Sequence, residues 1–424
     1  MLQKVKGTYD VLPEEFIQFQ KIENLFRHFL DLYGYKEMKT PVFEHTQVFT
    51  KENDTSDVVT KEMYSFSVND KDSLTLRPEG TPGIIRSFVE NKMYGSNELP
   101  VKLAYIEEMF RHERPQKGRQ RQFTQMGIEC IGEKSALIDA EVIALGYFYL
   151  KTLGIKGIKV LVNTLGDKES RNKYHDELIN YFKPHLDELC GDCNNRLEKN
   201  PLRILDCKVD NDKEFVKNAP VIKDYLSKEA KDYFEEVLKY LDVLEIPYEI
   251  NDKLVRGLDY YTDTVFEVVS TNEESGSQAT IFGGGRYDKL VKAMDGPDLS
   301  GIGFAIGVER LLILAKAEGL INEEDNQIDA YVINMSNDNT YALKIAELLR
   351  HNSYTTELNY YERSLKSQFK SSERKNAKLV FIIGEDEINN NSVTIKNTMD
   401  KTQNTIKYEE LIDYVDSLLG GQYE

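Results

Sequence analysis

Basic residues and one aromatic residue crowd a short loop in the first third of the chain. Guanidinium groups at fixed spacing bind phosphate through paired hydrogen bonds, and an aromatic ring can stack on a nucleobase. This combination predicts a nucleotide-binding site rather than an ordinary surface turn. The residues concerned are Arg111, Arg114, Lys117, Arg119, Arg121 and Phe123.

The strand predicted after this loop carries polar side chains on one face. Side chains alternate across a strand, so Phe123, Gln125, Gly127 and Glu129 lie on the same side. Arg111 ends the preceding strand, and pairing of the two strands in a hairpin would bring its side chain to the same face of the sheet. We interpret the glycine between two polar residues as room for the backbone of a ligand. A solvated antiparallel face is the alternative interpretation.

Two further segments combine an arginine with aromatic rings or glycines. In residues 254–263, LVRGLDYYTD, Arg256 precedes the adjacent Tyr260 and Tyr261. Residues 283–288 read GGGRYD. The first segment could wall a small polar ligand, and the second lets backbone approach a ligand closely. Each could equally be a turn beside a strand.

A strand followed by a helix is predicted between residues 301 and 317. Gly301, Gly303 and Ala305 share one face of the strand, and Arg310 lies in the first turns of the helix. A flat strand face beside an arginine suits a nucleotide ring. Neither the dinucleotide glycine pattern nor the P-loop pattern is met in this chain.

The elements that must position these residues follow from the hydrophobic pattern. Apolar residues recur at helical spacing from Pro13 to Leu32. Residues 103–111 and 121–131 predict an antiparallel hairpin around the basic loop. Residues 167–250 are charged and helix-patterned, which indicates a largely helical inserted domain.

The end of the chain has a different pattern. After a polar segment at 318–327, strand and helix signals alternate, which is typical of a small α/β domain. We predict one domain over residues 1–325, which contains the insertion, and a second over residues 328–424. The first is expected to be α+β, with a mainly antiparallel sheet flanked by helices.

Composition excludes several classes of protein. The 424 residues include 54 Lys+Arg and 72 Asp+Glu, for a net charge of −18. So acidic a chain is unlike proteins that hold nucleic acid by bulk charge, although local basic sites remain possible. No apolar run approaches the about 18 residues of a membrane helix, and the N-terminus lacks a signal-peptide core. We therefore expect a cytoplasmic protein that is not bound to membranes.

Three of the four cysteines lie close together in the insertion. Cys190, Cys193 and Cys207 invite a zinc hypothesis, with His175 or His185 as the fourth ligand. We expect reduced, partly buried thiols instead and assign no metal ligand in the protein, although the sequence leaves metal binding by these cysteines open.

Three segments together resemble the motifs of class II aminoacyl-tRNA synthetases. The helix at 13–33 with the strand around Pro41 is similar to motif 1. Residues 110–113, FRHE, with the basic loop and Phe123, resemble motif 2. Residues 301–312 resemble motif 3, and the two class I signatures are absent from the sequence.

Two further segments resemble signatures of the histidyl-tRNA synthetase family within that class. They are residues 254–261 and 284–288, and Lys289 departs from the glycine that usually follows the second. The resemblance covers essentially the whole chain. It implies a ligase that activates histidine with ATP to histidyl-adenylate and diphosphate, and then transfers histidine to the 3′ end of tRNA(His).

The resemblance also implies an ATP site. Arg111 is implied to grip the α-phosphate and the activated carboxylate, and Arg119 to meet the outer phosphates. Glu113 is implied to contact adenine, whose ring Phe123 and Arg310 sandwich. ATP of this kind normally arrives with Mg²⁺.

An amino acid site is implied beside it. Glu79 and Thr81 are expected to hold the histidine amino group. Arg256 is expected to stabilise charge at the α-phosphate, so that Arg111 and Arg256 are the catalytic residues. The rest of the site is implied to comprise Gln125, Glu129, Tyr260 and Tyr261, with Glu129 pairing an imidazole nitrogen.

The implied macromolecular partners are tRNA(His) and a second copy of the chain, since motif 1 belongs to a homodimer interface. The domain at 328–424 is similar to an anticodon-binding domain. Contacts to tRNA are expected from Arg114 and Gln116 in the loop and from Lys366, Lys370 and Arg374 near the C-terminus.

Two other interpretations of the same motifs remain. The first is a histidine-sensing regulatory subunit of ATP phosphoribosyltransferase, which does not charge tRNA. The second is a class II synthetase for another amino acid. The complete set of ATP-site residues and the C-terminal domain favour the histidine enzyme.

Overall fold

The computed structural model describes residues 2–50, 56–69, 72–96, 98–116, 118–271, 280–321, 327–360 and 364–420. The chain divides into two compact units, residues 1–321 and 322–424. Lys117 of the basic loop and residues 322–326 of the polar segment lie outside the described residues. No helix in the described part of the chain is both long and apolar enough to span a membrane.

The first unit combines long helices with strands of two sheets. Its helices are α1 (Pro13–Tyr33), α2 (Thr81–Glu90), α3 (Met93–Ser96), α4 (Ala136–Leu153), α5 (Lys168–Phe182), α6 (Gly191–Lys199), α7 (Glu214–Lys217), α8 (Lys228–Val243) and α9 (Val308–Ala317). Its strands are β1 (Lys36–Glu37), β2 (Phe43–His45), β3 (Tyr64–Asn69), β4 (Asp72–Leu76), β5 (Val101–Phe110), β6 (Gln122–Ile131), β7 (Ile158–Thr164), β8 (Tyr248–Ile250), β9 (Thr262–Ser270), β10 (Thr280–Tyr287) and β11 (Gly301–Gly307).

The large sheet of this unit has the strand order β1-β5-β6-β11-β10-β9-β7-β8. Its β1–β5 and β7–β8 pairs are parallel and the other pairs are antiparallel. In the β5–β6 hairpin Tyr105 lies opposite Gly127 and Glu107 opposite Gln125. The predicted hairpin and the mainly antiparallel sheet are therefore confirmed.

The main core lies between one face of this sheet and helices α1, α4, α8 and α9. Met126, Ile128 and Cys130 of β6 belong to it, as the alternation along that strand predicts. Helix α1 ends at Gly34, which has a φ of 76° and donates its N–H to the last turn. Glycine adopts this left-handed conformation without a steric cost, which explains the stop.

The insertion between β7 and β8 has its own apolar core and is largely helical, as predicted. Helices α5 and α6 pack with the turns at 201–204 and 222–225 around Tyr174, Leu178 and Ile204. Helix α8 follows in the chain, but its Val237 and Leu241 belong to the main core.

The second unit is a five-stranded sheet with helices. Its strands are β12 (Ala330–Asn334), β13 (Thr356–Leu358), β14 (Leu379–Ile383), β15 (Ser392–Asn397) and β16 (Gln403–Lys407), and its helices are α10 (Thr340–His351), α11 (Leu365–Arg374), α12 (Glu385–Asn389) and α13 (Leu411–Leu419). The order is β13-β12-β14-β15-β16, with the first three strands parallel. The predicted α/β character is confirmed.

Candidate active site

A cavity of about 280 Å³ opens on the large sheet, above β5, β6, β10 and β11. All twelve residues that the sequence analysis assigned to the ATP and histidine sites line it, although they come from six separate segments. They are Glu79, Thr81, Arg111, Glu113, Arg119, Phe123, Gln125, Glu129, Arg256, Tyr260, Tyr261 and Arg310.

One end of the cavity is built around the carboxyl group of Glu129, which is 1% exposed. Thr81 Oγ1 donates a hydrogen bond to its Oε1 at 2.5 Å, and the Tyr287 hydroxyl donates one to its Oε2 at 2.5 Å. Burial raises the pKa of Glu129 to about 8, although both hydrogen bonds favour the ionised form. The group therefore holds a proton near neutral pH and can release it to a bound base.

Glycines of the sheet make room for this end of the cavity. A Cβ atom at Gly127 would collide with the Tyr105 ring, and one at Gly303 would collide with the Glu129 carboxyl group. The interpretation of Gly127 as room for a ligand is therefore wrong, because the Tyr105 side chain fills that space. Gly307, by contrast, has no heavy atom of the described residues within 4 Å of an added Cβ.

Two adjacent tyrosines form one wall beside Glu129. The Tyr260 hydroxyl donates a hydrogen bond to Glu79 Oε2 at 2.7 Å, and the ring centroids of Tyr260 and Tyr261 are 4.7 Å apart. Burial raises the pKa of Tyr261 to about 12, so its hydroxyl keeps its proton at physiological pH. Gln125 faces the same space, and its buried Oε1 has no hydrogen-bond partner among the described residues.

The other end of the cavity collects arginines. Arg111 donates from Nε to the Pro78 carbonyl at 2.8 Å, and its Cζ lies 5.3 Å from the Phe123 ring centroid. Arg119 Nη1 lies 3.5 Å from the carboxylate of Glu113. The Phe123 ring thus lies beside the Arg111 guanidinium group, and Arg119 pairs with Glu113 nearby.

Arg310 completes this cationic end from helix α9. Its Nη1 donates to the Thr280 carbonyl at 2.7 Å. Burial lowers the pKa of Arg310, and the like charges of Arg119 and Arg111 lower it further. A bound anion would relieve that repulsion, so this end of the cavity suits phosphate groups.

Arg256 enters the cavity from the loop before β9. It forms an ion pair with Glu267, and a Cβ at Gly283 would collide with its guanidinium group. Burial alone would lower its pKa, but the pairing with Glu267 raises it overall. Arg203 of the insertion donates to the Arg256 carbonyl at 2.8 Å. Arg256 is thus held as a permanent cation at a fixed position.

Several lining residues were missed by the sequence analysis. Tyr105 shares a strand face with Arg111, which lies an even number of residues further along the chain, so the alternation of side chains would have indicated it. Tyr287 belongs to the GGGRYD segment, of which no residue was assigned to the site. Glu62 lies in a short helical turn at 58–62 that also lines the cavity. Glu267 of β9, the ion-pair partner of Arg256, was missed as well, although it is not among the lining residues.

The five residues expected to contact tRNA do not line this cavity. Arg114 and Gln116 are exposed on the basic loop, where Gln116 forms an isolated bridge with Arg119. Lys366, Lys370 and Arg374 are exposed on α11 of the second unit at intervals of four residues, which places them on one helix face.

A second cavity of about 450 Å³ lies between the insertion and the main sheet. Tyr260 lines it as well as the first cavity. Basic side chains dominate its walls, with Asp259 as an acidic neighbour. The basic residues are Lys168, Arg171, Lys199 and Lys289, together with His175.

Comparison with known proteins gives concordant matches. A model of the histidyl-tRNA synthetase family matches residues 7–311, and a model of the anticodon binding domain matches residues 329–418. Histidine--tRNA ligase of Bacillus cytotoxicus is 46% identical over 416 residues, which cover 98% of each chain. The histidine--tRNA ligase of Listeria innocua is 46% identical over 414 residues, or 97% of each chain.

Solved structures agree with these matches. The crystal structure of apo S. aureus histidyl-tRNA synthetase superposes with a TM-score of 0.84 at 38% sequence identity. The superposition covers 98% of this chain and 100% of that one. The similarity therefore includes both units and the insertion.

Proposed function

Because the chain belongs to the histidyl-tRNA synthetase family, we propose that the cavity above the large sheet carries out both chemical steps of that family. The protein is an aminoacyl-tRNA synthetase that charges tRNA(His) with histidine. ATP, histidine and tRNA(His) are its substrates. The roles of individual residues are those that the family resemblance implies, and the convergence of these side chains in one cavity supports them.

Adenylate formation is an in-line attack of the histidine carboxylate on the α-phosphate of ATP, with diphosphate as the leaving group. Both reactants are anions, so catalysis consists mainly of positioning and charge stabilisation. Arg111, just after β5, and Arg256, in the loop before β9, enter the cavity from different segments of the chain and serve this purpose. No general base is needed, because the attacking carboxylate is already ionised.

The arginine end binds the nucleotide. Phe123 and Arg310 enclose the adenine ring, Glu113 contacts its edge, and Arg119 meets the outer phosphates. Mg²⁺ carried with ATP would shield the charge of those phosphates. The carboxyl group of Glu62 also lines this end and would offer the kind of oxygen ligand that Mg²⁺ prefers.

The Glu129 end binds histidine. Imidazole both donates and accepts hydrogen bonds, and the Glu129 carboxyl group can pair with one of its nitrogens. Glu79 and Thr81 hold the amino group, and the unsatisfied Oε1 of Gln125 is a further acceptor. A site built to hydrogen-bond its substrate rejects analogues without those groups by about 10⁴ or more.

The tRNA approaches from outside this cavity. The basic second cavity, which Tyr260 separates from the first, is placed to receive phosphates of the acceptor end. Arg114 and Gln116 contact the same end from the basic loop. The second unit binds the anticodon, with Lys366, Lys370 and Arg374 on phosphates. The working form is a cytoplasmic homodimer, which sedimentation of the purified chain would test.

The observation that carries this proposal is the convergence of a buried carboxyl group and four arginines in one cavity. The test is histidine-dependent exchange of pyrophosphate into ATP by the purified chain. We expect exchange with histidine and none with the other amino acids. Tight histidine binding without exchange would support the regulatory-subunit alternative and contradict the proposal.

A further inference from the structure

Three cysteines and one aspartate converge at the start of helix α6, in the core of the insertion. They are Cys190, Cys193, Cys207 and Asp210, and one ligand atom from each lies within 4.8 Å of all the others. Cys193, Cys207 and Asp210 are buried and Cys190 is half-buried. The cluster is separate from the active-site cavity and plays no part in the mechanism proposed above.

The spacing of these residues matches that of a structural metal site. Cys190 and Cys193 form one pair three residues apart, and Cys207 and Asp210 form a second pair with the same spacing. Structural zinc sites commonly take their four ligands from two such pairs. The sequence analysis missed this pattern because it counted cysteines and histidines as ligands and left Asp210 out.

Neither histidine considered earlier completes the cluster. The His185 ring stacks on Phe215 with centroids 4.3 Å apart, and its Nδ1 lies 2.7 Å from Glu188 Oε1. His175 lines the second cavity instead. Asp210 supplies the fourth ligand atom in their place.

The distances within the cluster fit a tetrahedron better than a disulfide bond. The Sγ atoms of Cys190 and Cys207 are 3.7 Å apart. A tetrahedral zinc ion with Zn–S bonds of about 2.3 Å holds its sulfurs about 3.8 Å apart. A disulfide would require a separation of about 2.05 Å.

The surroundings also suit a charged metal centre. The backbone N–H of Cys190 donates to Asp210 Oδ2 at 2.9 Å, and Lys213 Nζ lies 2.8 Å from Asp210 Oδ1. The N–H of Val209 donates to Cys207 Sγ at 3.4 Å. Such outer contacts orient ligands and offset the negative charge of three thiolates and a carboxylate.

We propose that Cys190, Cys193, Cys207 and Asp210 bind a structural zinc ion. The ion joins the first turn of α6 to the loop that follows the turn at 201–204. That turn contains Arg203, which holds the Arg256 carbonyl. The zinc ion therefore stabilises the segment of the insertion that supports the catalytic loop.

The direct test is the metal content of the full chain, purified without chelator or metal-affinity resin. We expect about one zinc ion per chain by mass spectrometry. Replacement of zinc by Co²⁺ should give thiolate-to-cobalt charge transfer and the ligand-field bands of a tetrahedral site. A chain that holds no zinc and shows no such bands with Co²⁺ would overturn the proposal. Thiol titration of the denatured chain that finds two of the four cysteines joined in a disulfide would overturn it as well.

Variants locate the site. Cys207→Ser should abolish stoichiometric zinc, whereas Cys130→Ser, which removes a buried thiol of the main core, should keep it. Asp210→Asn keeps the size of the side chain but removes the anionic ligand, and should weaken zinc binding and change the Co²⁺ spectrum. A Co²⁺ spectrum that is unchanged in Asp210→Asn would remove Asp210 from the site. If Cys207→Ser fails to fold, the metal content and cobalt spectrum of the unaltered chain still decide the question.

Discussion

The two ends of the active-site cavity differ in how their charged groups are held before a ligand binds. At the Glu129 end, hydrogen bonds from Thr81 and Tyr287 fix a buried carboxyl group before any ligand arrives. At the arginine end, like charges lie close enough to lower the pKa of Arg310. The first end is therefore organised to recognise a small polar group, whereas the second holds surplus charge that an anion must neutralise.

The largest effect is expected when the Arg256 guanidinium group is removed. Arg256→Ala should slow adenylate formation by about 10²–10³, because a preorganised charge that stabilises the transition state is lost. Histidine-dependent pyrophosphate exchange measures this rate. Arg350→Ala, an arginine of the second unit, serves as the matched control. A loss below about threefold for Arg256→Ala would mean that this residue is not catalytic.

Removing the carboxyl group should separate the two ends. Glu129→Ala should raise the KM for histidine by about 100-fold, because a charge-assisted hydrogen bond worth about 1.5–3 kcal/mol is lost. The KM for ATP should change by less than about threefold. Steady-state exchange kinetics with each substrate varied in turn give both values. Equal effects on the two substrates would contradict the division of the cavity into two ends.

Two glycines of β11 offer a matched pair of substitutions. Gly303→Ala places a methyl group against the Glu129 carboxyl group, and should raise the KM for histidine by about tenfold or more. Gly307→Ala adds the same group where no heavy atom of the described part of the chain lies within 4 Å, and should leave histidine binding nearly unchanged. Thermal unfolding of both variants controls for loss of the fold. A reversed order of effects would refute the assignment of the ends.

The smallest expected effect is a pH dependence of histidine affinity. Free protein keeps the proton of Glu129 up to a pKa of about 8, above its ordinary value of 4.5. Free imidazole gains a proton below about pH 6.5. At a pH between these two pKa values, the Glu129 carboxyl group and the imidazole of bound histidine share one proton. Histidine should bind most tightly in this pH range.

The two limbs of this profile are distinguishable. Above the pKa of Glu129 the pair loses its shared proton, and below that of imidazole it carries two. Calorimetric titration across this range should show affinity falling on both sides. In Glu129→Gln the decline at high pH should disappear while the decline at low pH remains. A decline at high pH that persists in this variant would assign it to another group.

The sequence was most informative where one strand supplies several residues. Alternation along β6 correctly separated Gln125 and Glu129 from the buried Met126 and Ile128, because the side-chain period of a strand is fixed. Family motifs then identified residues on segments that periodicity cannot bring together, such as Arg256 in the loop before β9 and Arg310 on α9. The sheet places all of them around one cavity.

The remaining features depend on pairing between strands and on tertiary contacts. Alternation on β6 could not show that Tyr105 from β5 fills the space above Gly127, since this requires the register of the hairpin. The pairing of Arg256 with Glu267 depends on how the loop before β9 folds back. Asp210 was overlooked because a carboxylate is a common surface group, and burial is what distinguishes this one.

Three side chains at the Glu129 end of the cavity lie directly over glycines of the sheet. Tyr105 lies over Gly127, Glu129 over Gly303 and Tyr287 over Gly301. Every other residue at these positions would add a Cβ atom, and that atom would collide with the side chain above it. The shape of this end therefore depends on the side chains that these glycines lack as much as on Tyr105, Glu129 and Tyr287.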